Sequence, residues 1–305
     1  MTTKNFLQQI TQTVSFKLAV VAFLALLLLI PAQMIKSLVF ERQMRKDDVV
    51  QELTQKMGKQ QTITGPILTV PYRTYQSTIG GVKKAIRHHM HFLPEQLDVR
   101  GQLTPNIRYR NIYKVIGYNS QLEIKGNFTD LMVDEGNIQP EDIFWEKARL
   151  SLGISNMRGI NKTILIDWNQ NTHEFKPGLP TKDVVEKGVS IPLSVQPGQT
   201  HNFAFSMDLN GSKSLHIVPV GSKTNISLES QWDAPSFTGS YLPDERQVTD
   251  DGFRAKWKVL ELNRTYPQSW EGNKYSMEDS ALGVDLILPV DIYQKNMRSV
   301  KYALL

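Results

Sequence analysis

The chain has no cysteine among its 305 residues. That excludes a disulfide framework, a thiolate zinc site and a cysteine nucleophile, and it leaves the compartment open, because disulfide-free domains occur on both sides of a membrane. The standard catalytic signatures are missing as well. There is no G-x-x-x-x-G-K-[ST] phosphate loop, no G-x-S-x-G elbow, no H-E-x-x-H and no S-x-x-K. Nor is there a tract of one charge. The 35 basic residues are interspersed with 30 acidic ones for a net charge of +5, so the electrostatic footprint of a nucleic-acid binder is absent and no nucleic-acid partner is expected. Hydrophobic residues make up 40% of the chain, enough for a substantial core.

One feature is dense. Residues 18–35 read LAVVAFLALLLLIPAQMI, a charge-free run interrupted only by Pro31 and Gln33. With its flanks it spans 16–36, which at about 1.5 Å per residue matches a hydrocarbon core about 30 Å thick. A secretory signal would end in a small-x-small cleavage pattern, and none follows, so the run is expected to remain as a membrane anchor after a short tail, 1–15. Lys4 and Lys17 precede it, whereas Lys36, Arg42, Arg45 and Lys46 follow it. Taken alone, that count weakly places the N-terminus outside, but the rule loses force before a segment hundreds of residues long. Residues 37–60 are charged, free of Gly and Pro until Gly58, and set Val49, Val50, Leu53 and Met57 at helical spacing. They predict a juxtamembrane extension of the same helix.

Beyond that the period changes to two. Phe203, Phe205, Met207 and Leu209 alternate with Ala204, Ser206 and Asp208, and Ile226, Leu228 and Trp232 alternate with Ser227, Glu229 and Gln231. Half-buried strands of antiparallel sheet have this pattern. LEIKG from Leu122, LSLGI from Leu150 and VDLILPVDIY from Val284 are further strand candidates, and Asp251-Gly252 offers the positive φ of a tight hairpin turn. The fold expected over 61–297 is mainly β, a large antiparallel sandwich. HFLPEQLDVRG from His91 and HIVPVGSKTNISLES from His216 share an apolar pair, a proline, a turn and an alternating strand, an internal echo that would suit two related β-subdomains.

Candidate sites are few. His88, His89 and His91 are the nearest approach to a metal cluster, but on a strand only His89 and His91 share a face, and no nearby carboxylate or cysteine is expected to complete the set. Structural or surface roles are therefore expected, with no metal and no cofactor. Asp244-Glu245 and Asp250-Asp251 lie in turns, where solvated acids are ordinary; they are the candidates if the chain is an enzyme. In FRAKWKV, Phe253, Ala255, Trp257 and Val259 form one face, and Arg254, Lys256 and Lys258 form the other. This cationic stripe is the candidate interaction surface, for anionic lipid or another envelope polyanion, against the plainer reading of a solvated face that discourages edge pairing.

Several stretches resemble the bacterial CreD family, inner-membrane proteins associated with cell-envelope integrity. They include GPILTVPY, ARLSLGISNMRGI, SMDLNGSKSLHIVPVGSKT, SQWDAPSFTGSYLPDERQVTDDGFRAKWKVLELNRTYPQSW and GVDLILPVDIYQKNMRSVKYALL. Pro235, Ser236, Phe237, Gly239, Leu242, Pro243, Gly252, Phe253, Trp257, Asn263, Arg264 and Trp270 fall at the family's spacing, while Asn111 and Asn156 depart from it, standing where glycine and aspartate are usual. The resemblance implies a periplasmic domain, against the weak charge count, and a continuation into more membrane spans, so that 298–305 would begin a second one. The resulting expectation is a non-enzymatic protein that binds membrane lipid, other envelope proteins or anionic envelope components. The alternatives are an enzyme acting on an envelope polymer or lipid, and part of a transporter-like protein.

Overall fold

In the computed structural model the described residues are 14–77, 83–110, 113–131 and 138–288. The expected tail up to residue 13, Asn111 and the expected second span at 298–305 lie outside them.

The apolar run and its charged continuation form one helix, α1 (Val14–Met57), with Pro31 inside it. It is the one helix among the described residues that is long and apolar enough to cross a membrane, and none of its most apolar stretch is buried against protein. An isolated helix that is apolar on every side has no stable place in water.

The compact unit Glu52–Leu288 begins with the last residues of α1 and is otherwise built mainly of strands. In chain order these are β1 (Gln61–Ser77), β2 (Lys83–Phe92), β3 (Gln96–Arg110), β4 (Tyr113–Phe128), β5 (Ala148–Ile154) and β6 (Leu165–Trp168). Then come β7 (Asn171–Glu174), β8 (Lys176–Pro177), β9 (Gly188–Leu193), β10 (His201–Ser212), β11 (Ser214–Val218) and β12 (Lys223–Ser230). The last are β13 (Pro235–Gly239), β14 (Glu245–Thr249), β15 (Gly252–Leu260), β16 (Ser269–Glu271) and β17 (Leu282–Leu286). One sheet runs β13-β17-β11-β1-β5-β9-β8, with β2 on the far half of β1 and β16 beside β2; the other runs β14-β15-β12-β3-β4-β10-β6-β7. Their inward faces share one hydrophobic core.

Alternation places the strands as the sequence suggests. Phe203, Phe205, Met207 and Leu209 of β10 are buried, while Ala204 and Ser206 face solvent. The strand read from Val284 ends earlier than its apolar run, at Leu286. Two ladders also depart from the antiparallel expectation, since β1 pairs β11 and β3 pairs β12 in parallel.

Those parallel pairs explain the internal echo. At Pro94 the chain leaves β2 in one sheet and enters β3 in the other, and at Pro219 it passes likewise from β11 to β12. The two crossings lie side by side within one compact unit, joined by Ser222 N–H to the Pro94 carbonyl and Lys223 N–H to the Glu95 carbonyl, both 2.9 Å. The repeated proline and apolar pair therefore solve the same local problem twice, turning the corner of a sandwich. A third segment fastens both corners. Arg264 donates to the Val220 carbonyl at 3.0 Å, Tyr266 to Pro219 at 3.2 Å and Gln268 to Pro94 at 2.8 Å. Polar carbonyls exposed by the turns are thus satisfied from within.

Candidate functional site

β2 carries His88, His89 and His91 antiparallel to β1, which sets Thr69 opposite His91 and Tyr72 opposite His88. His91 is completely buried, with Nδ1 3.0 Å from the Thr69 hydroxyl. Its ring lies 5.7 Å from that of Trp270. The fold also brings a carboxylate to them from a distant segment. Asp183 arrives from the loop before β9, with Oδ2 3.5 Å from His91 Nε2 and 3.6 Å from His89 Nδ1. The expectation that no carboxylate joins these histidines is corrected here, because Asp183 is 92 positions from His91 and only tertiary structure makes them neighbours.

Hydroxyl, imidazole and carboxylate in a row have the form of a nucleophile, its base and the group that orients the base. Access decides against that chemistry. Thr69 is only 3% exposed and His91 not at all, so no substrate atom can reach the hydroxyl. The 3.5 Å separation is long for a hydrogen bond, and Nε2 has no bonded partner. His89, His91 and Asp183 do not make a metal site, and no such group occurs among the described residues. His88 is engaged differently, 2.8 Å from the Thr74 hydroxyl, 3.2 Å from Glu271 and stacked on Tyr72. The cluster works as packing.

Burial pushes the His91 ring down to about 4, only partly offset by Asp183. His216 is also lowered by burial. Below pH 6.5 the unfolded chain therefore binds protons that the native protein refuses, and stability must fall as pH drops toward 4. We expect the urea midpoint to fall between pH 7 and pH 4.5, and the fall to be smaller in His91→Gln, whatever that variant's stability at pH 7. An equal fall in both proteins would remove His91 from the account.

The candidate carboxylates are not brought together. Asp244-Glu245 and Asp250-Asp251 occupy opposite ends of β14, about 17 Å apart at the rise of a strand, too far for an acid/base pair acting on one bond. Asp244 accepts the Lys258 N–H at 2.7 Å and Glu245 pairs with Lys256 at 2.7 Å. Arg254, Lys256 and Lys258 do share an exposed face of β15. That strand is not an edge, because β14 covers its outer side. Arg254 lies 3.2 Å from Glu229 of β12, so two of the three cations are answered by acids on the flanking strands. The stripe read from sequence is one row of a mixed-sign surface.

Two polar clusters had no local signal. Asp208 accepts from Asn119 at 2.6 Å and Asn161 at 2.8 Å, with Lys162 3.2 Å away, and these donors hold its carboxyl below the usual range. Asn156, where the family pattern has aspartate, still accepts the Arg158 N–H at 3.1 Å. Arg73 and Tyr75 converge on the buried Asp142. Each cluster unites residues far apart in sequence, and each ties loops to strands.

Comparison with known proteins shows the family of this chain. The family model described as inner membrane protein CreD matches residues 13–305. The inner membrane protein CreD of Escherichia coli K12 is 31% identical over 288 residues, covering 92% of this chain. The chain spans 63% of that relative's length. A crystal structure from Legionella pneumophila, of a protein provisionally described as nutrient binding, is 9% identical. It covers 63% of this chain and 69% of its own with a TM-score of 0.29; a likeness that slight carries no argument.

Proposed function

Because the chain belongs to the CreD family of inner membrane proteins, we propose that it contributes to envelope integrity by binding rather than catalysis, with its β-sandwich held on the periplasmic side by α1. The observation that carries this reading is the state of the polar groups in the sandwich. His91 is buried without access, and Asp244 and Glu245 are committed to the Lys258 N–H and to Lys256, which leaves Asp250 and Asp251 as exposed acids on a turn with no basic partner beside them among the described residues. A face of mixed charge on a rigid sheet suits recognition of another macromolecule, where complementarity matters more than any single reactive group.

The absence of native thiols makes the test clean. Asn273→Cys, at an exposed position, should react with an impermeant maleimide in intact spheroplasts, and protection until lysis would reverse the placement. In cells lacking the intact protein, a full-length version carrying Asp244→Ala, Glu245→Ala, Asp250→Ala and Asp251→Ala should restore envelope integrity. Failure of that variant while still folded would favour catalysis.

A further inference from the structure

The hairpin of β1 and β2 carries one sign of charge. Residues 71–92 hold Arg73, Lys83, Lys84, Arg87 and three histidines, and no aspartate or glutamate. Pairs from Arg73↔Arg87 to Ser77↔Lys83 bring these cations together on two adjacent strands, past the last residues that β5 and β16 accompany.

Each strand of the hairpin has an outer edge, and the fold treats the two differently. Along β1, an acid-bearing segment of the same chain has been laid down. Tyr72 bridges to Ile143, the Phe144 N–H donates to the Pro71 carbonyl at 2.9 Å, and Asp142, just before them, engages Arg73 and Tyr75. Backbone pairing and a carboxylate on a guanidinium together cover that edge.

Along β2 the cover stops short. β16 pairs only with Phe92 to Met90, and the last bond between the two segments runs from the Gly272 N–H to the His89 carbonyl at 3.0 Å. β2 stays in continuous register with β1 from Phe92 to Lys83, so its backbone groups alternate sides without a break. His89 turns its carbonyl to the β16 side. Arg87, Ala85 and Lys83 therefore turn their N–H and C=O groups to the same side, where no strand follows among the described residues. Lys83, Lys84, Ala85 and Arg87 are exposed, and none of the three cations has an ion pair among the described residues.

An edge with free N–H and C=O groups is a template for one more strand. Its charges select which strand. A second copy of this edge would set like charges opposite one another, which is unfavourable, whereas carboxylates at those positions would be attracted. The covered edge of β1 shows what satisfies this hairpin, an extended segment whose carboxylate meets an arginine. We propose that the open edge of β2, from Lys83 to Arg87, takes an extended acidic segment of a partner protein as an added strand. That strand continues the sheet where β16 leaves it, with its carboxylates against Lys83, Lys84 and Arg87. This surface lies apart from the mixed-charge face of β15, and it is available on whichever side of the membrane the sandwich lies.

The test uses the full chain in detergent and a short fluorescent peptide alternating glutamate with valine, followed by anisotropy. The peptide should bind, and the same peptide with lysine in place of glutamate should not. Methylating the peptide's backbone nitrogens along one edge removes hydrogen bonds and keeps every charge; it should weaken binding roughly tenfold. Lys83→Glu, Lys84→Glu and Arg87→Glu together should reverse the preference, so that the lysine peptide is captured instead. Ala85→Pro removes an outward N–H that no strand uses, a place where an edge tolerates proline, so the variant should fold and bind the acidic peptide poorly. Arg108→Ser with Lys114→Ser, exposed cations of the β3–β4 hairpin, should leave binding as it was. Binding indifferent to methylation would mean that charge alone is read and would overturn the proposal. So would a lack of binding, full affinity in folded Ala85→Pro, or an equal loss in the Arg108 and Lys114 variant. Self-association that is lost in Ala85→Pro, with the acidic peptide ignored, would assign the edge to a second copy and overturn it too.

Discussion

Replacing Trp257 with alanine is expected to destabilise the sandwich by about 3–5 kcal/mol, the range for removing a buried aromatic side chain. Trp257 is 2% exposed on the inner face of β15. Its ring meets Phe237 edge-on at 5.9 Å, and its indole N–H donates to the Tyr241 carbonyl at 3.2 Å. Truncation would leave a cavity between β15 and β13 and orphan that carbonyl. Both penalties fall on the motif block that also aligns Phe253 against Phe237 at 5.6 Å. Since a domain of ordinary stability has only about 5–15 kcal/mol in hand, equilibrium unfolding in urea should show a large drop in midpoint, or no folded state at all. Lys256→Ala, one position earlier on the exposed face, should shift the midpoint little, because exposed ion pairs contribute at most about 1 kcal/mol. Comparable losses for the two variants would mean that the face assignment of this strand is wrong.

The second large effect is expected at Gly252. Its φ is +139°, and a Cβ placed there would stand 2.1 Å from the Ser230 carbonyl oxygen, a backbone atom that cannot swing away. An unfavourable backbone conformation of this kind costs about 1–3 kcal/mol by itself, and the clash adds to that by pushing β15 off β12. Gly252→Ala should therefore lower the urea midpoint strongly. Gly198→Ala is the matched comparison, with φ +78° and nothing within 4 Å of the added methyl. It should show the conformational part alone. If Gly252→Ala were no worse than Gly198→Ala, close packing of the turn against β12 would not be a constraint.

Both effects were partly legible beforehand, and they mark where legibility stops. By itself the sequence determined the apolar helix, because eighteen charge-free residues state their solvent directly. It also determined the strands of β10, β12 and β15, because a period of two needs only neighbours two apart. The Asp251-Gly252 turn followed from the conformational freedom of glycine, and the inward face of Trp257 from alternation. What required tertiary structure was every relation between distant segments. Whether Arg254 and Lys256 are free cations depended on Glu229 and Glu245 being delivered by the adjacent strands. Whether His91 has a carboxylate beside it depended on a loop 92 positions away. The meaning of the echo between His91 and His216 depended on two crossings lying in parallel at one corner. Local pattern selects which face of an element is apolar. Which elements then meet is decided by the global burial of those faces, a sum over long-range contacts in which no single residue pair is strong enough to announce itself in sequence.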